Sequence, residues 1–168
     1  MYTIGIDVGG TNLKAGLVNE ASEIVVTRKM PLVWQSQEKL AADLAALAEE
    51  VVVKYGIGRE EVSAIGIGFP GAVDRRRGAV IHTVNIPIHD MPVVEMLQSR
   101  WEIPVFLGND ADCAALGEFY HYGSEEIESF VLVTLGTGIG TGIIIRGQIW
   151  SGHNGCGGEG GHMVIVHD

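Results

Sequence analysis

Cysteine is scarce in this chain: Cys113 and Cys156 are the only two in 168 residues, and they form no CxxC pair. Their scarcity excludes a disulfide framework and points to a reducing, cytoplasmic setting. Grouped positive charge is scarce too. The formal net charge is -10, whereas binding to nucleic acid or to an anionic membrane begins with clustered Lys and Arg, so neither partner is expected. The one basic cluster, Arg75-Arg76-Arg77, lies between Asp74 and Gly78 and reads as a solvated turn joining two strands. Long apolar runs are missing as well. Stretches such as Phe130-Val131-Leu132-Val133 fall far short of the ~20 residues that span a bilayer as a helix. Met1 to Ile4 lead into a strand with neither the basic nor the apolar region of a secretion signal.

Glycine, by contrast, is abundant. The 24 glycines are about twice the usual share of ~7%, and they gather in four short loops. Clustered glycine marks backbone that approaches something closely or is held at positive φ. Around these loops, Tyr2 to Asp7, Leu13 to Val18 and Glu23 to Met30 read as an antiparallel meander. Leu40, Leu44, Leu47 and Val51 recur at helical spacing, with Ser36 as cap and Gly56 as left-handed terminator. Val62 to Phe69 reads as a buried strand. A short helix follows to about Arg100, with Asp90 as N-cap and Pro92 in its first turn. Pro104 to Leu107 is the next strand and Ala111 to Tyr120 the next helix. This order predicts an α/β fold, a mixed sheet with flanking helices. The polar stretch at 123–128 reads as a boundary between a lobe at 1–122 and an incomplete second lobe at 123–168, whose strands have no helix of their own.

The loops carry the chemistry. Asp7-Val8-Gly9-Gly10-Thr11-Asn12 joins two strands, so its glycine amides can cradle phosphate oxygens, with Thr11 and Asn12 as neutral donors. Asp7 suits a Mg²⁺-bound water, because a bare carboxylate would repel phosphate. Gly136, Gly138, Gly140 and Gly142 alternate around Thr137, Ile139 and Thr141, more glycine than a hairpin needs, which suggests a ligand against bare backbone. Gly66 to Gly71 and Gly155 to Gly160 both match GxGxxG, but no helix starts within either, so a dinucleotide fingerprint fails on context. Asp110 stands at a strand end before a helix, where it is either an N-cap or a reactive group facing the loop side of the sheet. Asp112 and Glu118 compete as carboxylates. Glu159 and His162, three apart in a glycine-dense loop, offer acceptors and a donor for sugar hydroxyls. A metal site at His162 lacks companions at zinc spacing.

Five of these segments run in the order found in a known family: Asp7 to Asn12, Gly66 to Gly71, Asn109-Asp110-Ala111 with Ala114 to Glu118, Leu135 to Gly140, and Gly158 to Met163. The chain resembles the amino-terminal half of the ROK sugar kinases and repressors, within the actin-like ATPase and hexokinase superfamily. The resemblance implies a ribonuclease-H-like fold in two lobes, the second truncated, with ATP and Mg²⁺ in a cleft and a hexose or N-acetylhexosamine as acceptor, glucose favoured. It assigns Asp110 as general base and Gly71, Asn85, Asn109, Asp110, Glu159 and His162 as sugar contacts. Asp7, Gly9, Gly10, Thr11, Asn12, Gly136, Thr137 and Gly138 correspond to ATP and Mg²⁺ contacts. In the family, the residue matching His162 also ligates a structural Zn²⁺ with three cysteines further on, which this chain does not contain. The resemblance further implies a homodimer for a full-length protein. A sugar-responsive regulator and a non-catalytic sugar-binding module are the alternatives.

Overall fold

The computed structural model describes residues 1–122, 127–136, 138–153, 155 and 157–164. They form two compact units, Met1–Gly108 and Asn109–Asp168.

In the first unit, β1 (Tyr2–Val8), β2 (Asn12–Val18) and β3 (Ile24–Pro31) form the expected meander. With β4 (Val62–Phe69) and β8 (Val105–Asn109) they make a five-stranded sheet in the order β3-β2-β1-β4-β8. The sheet is mixed, because β1 runs antiparallel to β2 and parallel to β4. Alternation along the strands sends Ile4, Ile6, Val8, Leu13, Ala15, Leu17, Ile65, Ile67 and Phe69 into one core and leaves Asp7 and Lys14 exposed.

Helix α1 (Gln37–Tyr55) closes that core with Leu40, Leu44, Leu47 and Val51, each such side chain contributing about 1.5–3 kcal/mol on full burial. Its ends are those the sequence predicts. Ser36 Oγ accepts from the Lys39 amide, and Gly56 closes the helix at φ 84°. Helix α2 (Val93–Trp101) packs beside α1 through Val93, Leu97 and Trp101.

The start of α2 differs from the expectation. Asp90 is not its N-cap; Pro92 occupies that position, and Asp90 sits at φ 50° within β7 (His89–Met91). The reason is long-range pairing. β5 (Ala72–Asp74), β6 (Ala79–His82) and β7 form a second, three-stranded sheet in which Val80 faces Met91 and His82 faces His89. Arg77 then binds Asp90 at 2.9 Å. The arginine cluster is the turn predicted for it, with Asp74 Oδ1 accepting from the Arg76 and Arg77 amides.

The second unit is built on β9 (Ser129–Leu135), β10 (Ile139–Ile145) and β11 (Gln148–Ile149), in the order β11-β10-β9. Helix α3 (Asp110–His121) covers one face, burying Ala115 and Phe119 with Ile144. The expectation of a second sheet without its own helix is therefore corrected: α3 falls in the unit that starts at Asn109, not in one that ends at 122. Two glycines decide this. A side chain on Gly140 would meet Ala111, and one on Gly142 would collide with Ala115 and the Ala111 carbonyl. Bare backbone on β10 lets the helix come close. On the other face Val131, Val133, Leu135, Ile139 and Ile145 stay exposed. No helix among the described residues is long and apolar enough to cross a membrane.

Candidate functional site

In the first unit the loop between β1 and β2 is a tight turn. Gly9 N–H donates to Asn12 O at 2.9 Å, so that amide closes the turn instead of pointing outward as the sequence reading has it. Asn12 Nδ2 donates to Thr11 Oγ1 at 2.8 Å, and Leu32 N–H on the neighbouring strand end holds Thr11 O at 2.9 Å. Gly10 is exposed at the tip.

Asn85 comes to this tip from a distant part of the chain. A methyl group on Gly10 would lie 3.6 Å from Asn85 Cβ and 3.7 Å from its Nδ2. Thr83 fixes the turn that carries Asn85. It is the one buried polar residue among those described; its hydroxyl donates to Ile86 O and accepts from Ile86 N–H at 3.2 Å. Gly71, at φ 88°, runs so close to His82 O and the Thr83 backbone that no Cβ fits. The structure thus brings together Gly71, Asn85 and the Gly9-Gly10 turn, which sequence spacing alone could not do.

Thr83 makes a direct test of this wall. Thr83→Val keeps the side-chain shape but leaves the Ile86 N–H without its acceptor. A loss of about 1–3 kcal/mol is expected, read by chemical denaturation, with Thr83→Ser recovering most of it. An unchanged denaturation midpoint would show that the turn holds without the hydroxyl.

Lys14 was not singled out in the sequence. The β1–β2 register sets it opposite Asp7, and its Nζ lies 3.2 Å from Asp7 Oδ2. Both side chains are more than half exposed, at 59% and 55%, so the pair itself adds little stability. What it provides is a cation and a carboxylate side by side at the glycine turn. The short connection from Val8 to Leu13, which face each other at the end of the ladder, already sets this register, so the signal was present in the sequence.

In the second unit Asn109 and Asp110 stand at the start of α3. The N-cap is Asn109: its Oδ1 accepts from Ala111 N–H at 2.9 Å and from Asp112 N–H at 3.2 Å. Asp110 is therefore the first helical residue and not the cap. Asp110 is exposed, and its Oδ1 also lies 2.9 Å from Ala111 N–H.

Asp112, a competing carboxylate in the sequence, ties the glycine-rich loop to α3. Its Oδ2 accepts from Ser151 Oγ at 3.3 Å, and Gly158 lies beside its Oδ1. Gly158 and Gly161 are pressed against the carbonyls of Thr141 and Ile139, so this loop is laid along β10 by close backbone contact. Glu159 and His162 do converge, with Nε2 3.6 Å from Oε2. Among the described residues no three His, Cys, Asp or Glu side chains gather as a metal site, so these residues by themselves make no closed zinc centre at His162.

The loop after β9 turns tightly, Gly136 N–H donating to Gly138 O at 2.9 Å. A Cβ at either glycine would meet nothing within 4 Å. Only these two of the four alternating glycines are left open for a ligand; Gly140 and Gly142 are used in packing α3. Thr137 lies outside the described residues.

The sequence profile of the ROK family matches residues 3–168. A glucokinase of Halalkalibacterium halodurans is 34% identical over 98% of this chain and 50% of its own length. The xylose repressor of Caldicellulosiruptor bescii is 30% identical over 96% of this chain and 41% of its own. A solved ROK family glucokinase from Streptomyces griseus, in complex with glucose and AMPPNP, superposes with a TM-score of 0.87 at 34% identity, over 99% of this chain and 51% of that one. The chain spans about half the length of the curated relatives it matches.

Proposed function

Because the chain belongs to the ROK family, we propose that it serves ATP-dependent transfer of a γ-phosphoryl group to a hexose hydroxyl, with glucose the favoured acceptor. Its fold is the ribonuclease-H-like fold of the actin-like ATPase and hexokinase superfamily, a mixed sheet with flanking helices. The observation that supports the proposal is Asn85 beside Gly10; in this reading the amide binds sugar and the turn binds phosphate. The glucose and AMPPNP bound by the Streptomyces griseus relative supply the ligand classes.

In this reading Asp110 accepts the proton of the attacking hydroxyl. Asn109, Gly71, Asn85, Glu159 and His162 orient the sugar through hydrogen bonds, and the turns at Gly9-Gly10-Thr11-Asn12 and Gly136-Thr137-Gly138 take up phosphate oxygens through backbone amides other than those of Gly9 and Gly136, which close the turns. Lys14 adds positive charge beside the first turn. Asp7, exposed at that turn, offers the single hard carboxylate that suits a water-rich Mg²⁺. Bound there, the cation would draw charge from the phosphate oxygens. Phosphoryl transfer depends chiefly on such alignment and charge stabilisation.

The 168 residues alone are expected to show little or no kinase turnover, because they span about half of each relative. A coupled ADP-release assay over a hexose panel tests this, and robust phosphorylation by the isolated chain would refute it. Calorimetry with glucose and with ATP separates a kinase half from a non-catalytic sugar-binding module, which would take up sugar without responding to nucleotide. Homodimerisation of a full-length form and a cytoplasmic location belong to the same proposal.

A further inference from the structure

We propose that His82 and His89 form a two-imidazole clip for a late first-row divalent cation of the Zn²⁺, Ni²⁺ and Cu²⁺ class, tying β6 to β7. The two residues face each other across the antiparallel ladder. Their ring centres are 5.6 Å apart and their planes are tilted by 42°. Two imidazoles sharing one ion at about 2.0–2.1 Å per bond have ring centres roughly 5 Å apart, close to the spacing of this pair.

The backbone beneath the rings is already fixed. The next pair on the same face, Val80 and Met91, is buried. His82 also pairs with Ala72 on its other side, and its carbonyl abuts Gly71. The His89 carbonyl accepts from Gln37 Nε2 at 3.0 Å. Only the exposed rings need reorient, which keeps the ordering cost of chelation low. No third His, Cys, Asp or Glu joins them among the described residues, so water fills the remaining positions. Imidazole donors select the borderline ions over Mg²⁺ or Ca²⁺, and the net charge of -10 favours cation uptake.

Both histidines flank the segment that holds Thr83 and Asn85, so the clip would stiffen the turn presenting Asn85 to Gly10. Ion binding itself does not depend on the kinase reading. The test is Cu²⁺ titration of the 168-residue chain at substoichiometric steps, with paramagnetic broadening of histidine ring signals followed by NMR. His82 and His89 should broaden together and before His121 and His153. In H89Q, shown folded by its amide spectrum, His82 should lose that lead, with apparent affinity lowered by about tenfold or more; H82Q should do the same to His89. Broadening of His82 and His89 no earlier than His121, or a His82 response untouched by H89Q, would overturn the proposal.

Discussion

Asp110→Asn is expected to lower sugar phosphorylation by about 10²- to 10⁴-fold, the usual contribution of a positioned general base, while sugar affinity stays largely intact. The measurement needs a form that turns over, such as these 168 residues joined to the second half of a full-length relative. The fold makes the substitution clean. Asn109, not Asp110, caps α3, so the helix start survives, and the asparagine oxygen can still take the Ala111 N–H that Asp110 Oδ1 meets at 2.9 Å. What is lost is the capacity to accept a proton. Asn109→Ala is the contrasting change, since it removes the cap and costs about 0.5–2 kcal/mol of stability. If Asp110→Asn left turnover within a few-fold, another group would be the base, and Asp112 would be the next to test.

The second large effect is structural. Gly142→Val is expected to destabilise the second unit by at least about 1–3 kcal/mol, the range for forcing extra volume into a packed core. The new side chain would run into Ala115 and the Ala111 carbonyl, and a backbone carbonyl cannot swing aside as a flexible side chain can. Gly136→Ala is the matched control. Its Cβ meets nothing within 4 Å, so stability should change by no more than about 0.5 kcal/mol, and any loss should appear in nucleotide binding. Thermal and chemical denaturation of the two variants separate packing glycines from ligand glycines. Equal stability of both would show that α3 does not depend on the bare backbone of β10.

Much of the fold was legible because its signals are local. Apolar or alternating runs located β1 to β4, the leucine spacing located α1, and Ser36 and Gly56 marked its ends through capping chemistry that depends on a few neighbouring residues. Asp90 misled because its acidic side chain before Pro92 has the local form of a cap, while pairing of Met91 with Val80 decided the backbone. The same holds for the glycines. Composition identified an excess at 136–142 but could not say that half of it serves α3, because Ala111 and Ala115 come from an earlier helix. The site was legible as residue types on loops. That Asn85 reaches Gly10 depends on a contact across more than seventy positions of chain, while Thr83 holds the turn through Ile86, close in sequence.

The exposed face of β9 and β10 has a consequence for how the chain behaves in solution. Val131, Val133 and Leu135, each more than half exposed, alternate along a strand that is also an edge of its sheet among the described residues. An apolar edge strand with unpaired backbone groups is a template for intermolecular pairing. Charge repulsion works against it, and with a pI of about 4.9 that protection fades as the medium is acidified. Colloidal stability of the isolated chain is therefore tied to pH through net charge, quite apart from the stability of either folded unit.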